Sequence, residues 1–282
     1  MRKVMLMFGW FDMTDDIMNT IYSILVMLES LGYERLNVGL AEFNPGMFAI
    51  VVQIAEVVIR PIALSLLALF LMLELLDILK RTAGNGGVTL ELMIPFFFKF
   101  AISYALVTQA IGVLTDIFNL ALTMIRNITM TAGAGSEFLD MEATREYVSN
   151  LGFGGQLNLW AVVIIVSVIV TIGGFIVNIK ITMRMIEIYG FLALSPLPLS
   201  TFAGGESSQM GKSFLKNFSA SCIQGVVMLV FLNLASAMFM TIGLSTDSST
   251  IGQMWGMAGF MILLIFAIMT SESVAKRAIG AM

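Results

Sequence analysis

The chain is 282 residues long, carries 15 Lys+Arg against 19 Asp+Glu for a formal charge of −4, and is 58% hydrophobic. Charged residues make up 12%, roughly half the share of a soluble domain, and the mean hydropathy is +0.94. These values exclude a soluble globular domain, a disordered chain and a basic nucleic-acid binder. The bilayer is the solvent that accepts so much apolar surface.

Histidine is absent, so a Ser-His-Asp triad, a Cys-His dyad and histidine-ligated zinc are impossible. The single cysteine, Cys222, lies in an apolar run; one chain forms no internal disulfide, and Cys222 says nothing of the redox compartment.

Residues 1–46 hold short amphipathic stretches and no crossing. Arg2-Lys3 followed by the apolar stretch 4–9 opens like a signal peptide, but no small-residue cleavage site follows before Asp12, so an interfacial helix is the better reading. Residues 47–59 are apolar except for Gln53 and Glu56 and run straight into Arg60-Pro61. The whole run to Leu79 exceeds the about 20 residues of one crossing. The first part therefore reads as a helix outside the hydrocarbon or in the interface, with Pro61 as a kink or a helix start. The first span is 58–79, bounded by Arg60 and the Lys80-Arg81 pair.

The second span falls within 96–125, where one helix would hold Lys99 and Asp116 near opposite interfaces, roughly 26 Å apart at about 1.5 Å per residue. Three charge-free gaps hold the clearest spans, at 159–179, 220–242 and 252–271. Residues 188–202 are mostly apolar but too short to cross, and they contain Pro196 and Pro198. A break there frees backbone groups that hydrocarbon cannot satisfy, so this segment must be buried in protein or line a wet cavity. It reads as a re-entrant or interfacial turn. The expected fold is all-α and polytopic, with about five transmembrane helices, this proline-containing segment and amphipathic N-terminal helices.

Charge bias gives an orientation. With five crossings, Lys80, Arg81, Lys99, Lys180, Arg184, Lys212, Lys216, Lys276 and Arg277 fall on one side, and most acidic residues fall on the other. The expected topology has the N-terminus outside and the C-terminus in the cytoplasm, although Arg2-Lys3 pulls weakly the other way.

Several motifs have plainer readings than their first appearance. Gly205-Glu-Ser-Ser-Gln-Met-Gly211-Lys212-Ser213 imitates a phosphate loop, but it has five residues between the glycines where that motif needs four, and no buried strand precedes it. It reads as a membrane-edge loop. Glu56 and Arg60 are spaced for a local helical pair; a place on a conduction path is the sharper alternative. Lys180 and Arg184 read as side chains snorkelling to the cytoplasmic interface. Glu74, Asp77 and Asp116 are the acids nearest the membrane interior, where helix–helix or subunit contacts are a plainer role than ion coupling. The 23 methionines spread through the apolar runs, so Met254, Met257 and Met261 read as flexible packing, not thioether ligands. Gly84-Asn-Gly-Gly87 reads as a turn. No cofactor or metal is expected.

One region carries a resemblance. Leu194-Ser-Pro196-Leu-Pro198-Leu-Ser-Thr201-Phe202-Ala, then Gly211-Lys212-Ser213-Phe214-Leu215-Lys216-Asn-Phe218, then Gln224-Gly225-Val-Val-Met-Leu, resembles the TrbL-like polytopic membrane subunit of conjugative type IV secretion systems. It looks most like the short forms found in mobile elements of Gram-positive bacteria. The resemblance implies a non-enzymatic, VirB-type channel component in the bacterial cytoplasmic membrane. It implies several copies in a small ring, in contact with lipid, cytoplasmic ATPases and other secretion subunits, and transiently with the transferred DNA–protein complex. Lys212 and Lys216, with Lys180 and Arg184, are the candidate contacts to a partner or substrate. Longer members carry a large soluble domain, so any extracellular role here is expected to rest on residues 1–46 and the 126–158 loop. The competing reading is a secondary transporter with a site at the Pro196–Pro198 break and charges such as Asp116. An intramembrane enzyme ranks last, because no histidine and no paired catalytic acids are present.

Overall fold

The structure, a computed structural model, describes residues 13–29, 33–82, 90–132, 140–205, 207–246 and 250–281. The expected interfacial helix at 2–9 and the turn at 84–87 lie outside the described residues. The helices are α1 (Thr14–Glu29), α2 (Tyr33–Leu36), α3 (Leu40–Phe43), α4 (Pro45–Gln53), α5 (Arg60–Thr82) and α6 (Leu90–Thr108). They continue as α7 (Ala110–Ala132), α8 (Met141–Asn150), α9 (Phe153–Leu194), α10 (Pro196–Ser200), α11 (Ser208–Thr246) and α12 (Thr250–Ile279). A π-helical turn, Ile54–Ile59, joins α4 to α5, and a 3-10 turn, Thr201–Ala203, follows α10. Among the described residues every regular element is helical, and five helices are long and apolar enough to cross a membrane: Pro45–Lys80, Ala110–Met130, Phe153–Leu194, Ser208–Ala235 and Thr250–Ile279. The chain is an all-α polytopic membrane protein.

Two compact units divide it: Met1–Leu36, Arg126–Ile181 and Met228–Ser271 form the first, and Asn37–Ile125, Thr182–Val227 and Glu272–Met282 the second. In the first unit, α1 buries Ile17, Ile21, Ile24 and Leu28 along one face. This is the spacing of an amphipathic helix, here laid on protein. Helix α8 begins at Asp140, whose carboxylate accepts the N–H groups of Glu142 at 2.9 Å and Ala143 at 3.1 Å and so caps the orphan donors of the first turn. Helices α1 and α8 pack together. Arg145 donates to Asp15 at 2.9 Å, and the buried Gln156 amide accepts from the Met13 N–H at 3.4 Å while donating to Thr14 Oγ1 and the Val148 carbonyl, each at 3.3 Å. Farther along, a Cβ on Gly173 would overlap the Met261 side chain, so α9 and α12 approach closely there. Met254, Met257 and Met261 are fully buried at the spacing of a core seam.

In the second unit the expected division at Arg60-Pro61 is replaced by a continuous helical rod. Proline has no N–H, and its ring crowds the carbonyl four residues back. The helix absorbs this by widening one turn: the Arg60 N–H bonds the Ala55 carbonyl, five residues away. Residues 47–59 are thus not a separate helix, and the rod Pro45–Lys80 has 36 residues, roughly 54 Å at about 1.5 Å per residue.

The single helix expected over 96–125 is also corrected, because it is interrupted at Gln109 between α6 and α7. The interruption is slight, because the Gln109 N–H still bonds the Ala105 carbonyl at 2.9 Å and the Val113 N–H the Gln109 carbonyl at 3.0 Å. Lys99 therefore sits on a different helix from Asp116. Helix α9 has 42 residues, roughly 63 Å long by the same rise and about twice the hydrocarbon thickness. Residues 188–194, expected within the proline-containing turn, belong to this helix, and the break falls at Ser195. The core of the second unit gathers Leu114, Phe118, Met185, Ile188, Leu192, Leu199 and Phe218. Phe191 stacks edge-on against Phe214 and Phe218 at centroid distances of 5.5 and 6.1 Å.

Candidate functional site

The broken helix after α9 directs side-chain hydroxyls onto its own carbonyls. Ser195 Oγ donates to the Leu192 carbonyl at 2.8 Å, Ser200 Oγ to Leu197 at 2.7 Å, and Thr201 Oγ1 to Pro198 at 2.7 Å. The Thr201 hydroxyl also accepts the Gly211 N–H at 3.0 Å, which ties the start of α11 back onto the 3-10 turn. The hydroxyls add to backbone donors here, since the Leu192 carbonyl also accepts the Ser195 N–H at 3.3 Å and the Pro198 carbonyl the Thr201 N–H, and such extra bonds help irregular backbone exist inside an apolar bundle. Pro196, Leu199, Ser200, Thr201 and Ala203 are buried, Pro198 is half-buried, and α10 packs against α5 and α6. Gly211 is needed for its lack of a side chain: a Cβ there would overlap the Phe202 ring and the Pro198 carbonyl. The glycine that imitated a phosphate loop is a packing residue. Pro61, by contrast, is exposed on the rod.

Arg184 is the one charged side chain among the buried described residues, 3% exposed. The snorkelling reading does not describe it, because the guanidinium turns inward. Nε donates to the Ser221 carbonyl and Nη2 to the Cys222 carbonyl, both at 3.0 Å, and the guanidinium lies 5.9 Å from the centre of the Phe118 ring. Gly225 makes this approach possible, since a Cβ there would overlap the guanidinium. Beside it, Ser221 Oγ donates to Glu187 at 3.1 Å. Arg184 thus pins α9, α7 and α11 together and is not placed to meet a partner.

The other charges are arranged differently. Glu74 joins three segments: Lys99 donates to one carboxylate oxygen at 2.5 Å, and the Gly205 N–H donates to the other at 2.9 Å. The Lys99–Glu74 pair bridges α5 and α6. Sequence reading expected a helix–helix or subunit contact for Glu74 but did not name Lys99 as its partner, because a contact between separate helices leaves no periodic signal. Glu56 and Arg60 form the local pair at 2.9 Å, on the outside of the rod. Asp77 and Asp116 are exposed, and Lys180 is half-buried. Lys212 and Lys216 are exposed on the first turns of α11, where Lys216 reaches the Gly280 carbonyl at 3.4 Å. Among the described residues, no group of three acidic, cysteine or histidine side chains is placed to hold a metal ion.

A family model described as TrbL/VirB6 plasmid conjugal transfer like protein matches residues 35–196, more than half of the 282 residues. The chain belongs to this family. The TrbL/VirB6 match runs from the end of α2 through α9 to Pro196, and so contains Arg184, Glu74 and Lys99. Gly225, Lys212 and Lys216 lie beyond it. The segment that carried the sequence resemblance, 183–233, overlaps the match only over 183–196. No curated protein and no solved structure matches the chain. As a TrbL/VirB6 member it is a multi-pass membrane component of a conjugal transfer system.

Proposed function

We propose that this chain is a channel or scaffold subunit of a type IV secretion machine, helping DNA–protein substrates across the bacterial cytoplasmic membrane. The observation that carries this reading is the TrbL/VirB6 match over residues 35–196. The physical arrangement fits such a role. The chain offers long helices, a buried broken helix and exposed basic residues on the proposed cytoplasmic side, and its sequence contains no phosphate loop. Energy comes from cytoplasmic ATPases, and several copies assemble as a small ring.

In this reading the N-terminus is outside and the C-terminus cytoplasmic. The packing of α1 on α8 supports one part of that topology. Segments that pack in one unit outside the hydrocarbon share a side, so an even number of crossings separates them, and Pro45–Lys80 and Ala110–Met130 supply two. The basic end of α12, with Lys276 and Arg277, then lies on the cytoplasmic side. Lys212 and Lys216 are the proposed contacts to an ATPase or the substrate.

The test is isolation of the tagged chain, extracted in mild detergent from mating-competent donor cells. It is expected to bring down conjugation ATPases and other secretion subunits. A chain that comes down alone, in cells that mate normally, overturns the reading.

A further inference from the structure

Helix α7 is the span with the most divided surface. Leu114, Phe118, Ala121 and Ile125, at steps of four, three and four, are buried in the protein. On one exposed flank stand apolar side chains, Leu120 at 65% exposure, one turn beyond Asp116 and so at the border of the two surfaces, and Met124 at 50%. On the other, Gln109, Gly112, Asp116, Asn119 and Thr123 are all exposed and follow one another at steps of three, four, three and four. Gln109 belongs to this stripe although it sits at the break, because its carbonyl still accepts the Val113 N–H at 3.0 Å. Steps alternating between three and four put these residues on one face of a helix.

Each face calls for a different solvent. The first is already packed, and the second suits lipid. The third suits hydrocarbon poorly, since the Asp116 carboxyl group and the Asn119 amide within a membrane-length helix call for water or polar partners, while the Thr123 hydroxyl already donates to the Asn119 carbonyl at 2.8 Å. Among the described residues no basic side chain pairs with Asp116. A second copy meeting this stripe with its own stripe is a poor cover, because a two-fold pairing of parallel copies would set Asp116 against Asp116 and like charges so placed repel, while in a ring the stripe does not meet itself.

We propose that the polar stripe Gln109–Gly112–Asp116–Asn119–Thr123 of α7 forms part of the wall of a water-filled path through the membrane domain. This rests on the reading of the chain as a membrane subunit of a transfer machine and names the surface that the passage would use. Asp116 gives that wall a negative charge and Gly112 leaves it locally flat; a Cβ on Gly112 would meet nothing within 4 Å.

The test uses the full chain in donor-cell membranes, with Cys222→Ala as the background and single cysteines introduced as Asn119→Cys, Thr123→Cys, Leu120→Cys and Met124→Cys. The probe is a charged, membrane-impermeant methanethiosulfonate reagent, which reacts with the thiolate. Thiolate forms in water and is suppressed in apolar surroundings, so the two stripe positions are expected to react on the order of tenfold faster than the two flank positions. A nitroxide on each site gives a second reading: a water-soluble nickel chelate should relax the stripe labels more strongly than oxygen does, with the reverse at the flank. Stripe positions that react no faster than the flank, or that are shielded from both relaxing agents, overturn the proposal. Thr123→Cys nearly matches the residue it replaces and keeps the test available if Asn119→Cys fails to insert. Mating does not enter the measurement, so this outcome is separate from that of the co-isolation experiment.

Discussion

Gly225→Ala is expected to destabilise the second unit by about 2 kcal/mol, within the range for forcing an extra methyl group into a packed interior. The new Cβ would occupy the place of the Arg184 guanidinium, which is held between the Ser221 and Cys222 carbonyls and the Phe118 ring. Arg184→Met should cost less, under about 1.5 kcal/mol, because it roughly conserves volume and removes a buried charge. Its loss leaves no orphan acceptor: Ser221 and Cys222 lie within the continuous helix Ser208–Thr246, where their carbonyls also accept from the following turn. The informative variant is the double one. With the guanidinium replaced by a flexible thioether, the alanine methyl group has room, and the pair should be more stable than the sum of the single effects predicts, with a coupling of about 1–2 kcal/mol. Thermal unfolding of the purified chain in detergent, followed by size-exclusion chromatography, measures all three. Strictly additive effects would mean that the guanidinium and Gly225 do not meet.

The second large effect is on transfer. Replacing Lys212 and Lys216 together by glutamate reverses the charge of the exposed start of α11 without touching the buried turn behind it. If this surface meets an ATPase or the DNA–protein substrate, the reversal sets like charges against each other at a cost of several kcal/mol, and each 1.4 kcal/mol is about tenfold in binding. Mating frequency is expected to fall by roughly a hundredfold or more on that arithmetic, while the amount of chain in the membrane fraction stays unchanged. Unchanged mating would remove the proposed contact and leave the rest of the account standing. Lys216→Met alone should have a smaller effect, since its ammonium reaches the Gly280 carbonyl of its own chain at 3.4 Å.

What the sequence made legible follows from which forces leave a local pattern. Apolar runs bounded by charges are local, and five spans could be counted from them. The prolines at 196 and 198 are local too, and they announced a break whose backbone needed partners. The family was recognised from 183–233, although most of the matched region lies upstream, because the turn and the lysines after it form the most distinctive run of residues. The errors lie where a neighbour decides. Pro61 read as a kink or a helix start, and an irregular π-turn does precede it, yet the helix runs on through it and the residues before it are not a separate interfacial helix. Residues 96–125 looked like one rod, yet it is interrupted at Gln109, between α6 and α7. Arg184 looked like an interfacial cation, because nothing near it in sequence reveals that Gly225, 41 positions on, opens a place for it inside. For Glu74 the helix–helix contact was expected and only its partner was not, since nothing local to Glu74 points to Lys99 before tertiary packing brings them together.

The account stands or falls on whether this membrane chain serves conjugal transfer. Its most direct test is the mating frequency of donor cells carrying an in-frame deletion of the chain, with and without an intact copy supplied in trans. Loss of transfer to the detection limit, restored by the intact copy, is the predicted result. A deletion strain that transfers its element as well as the parent would contradict it.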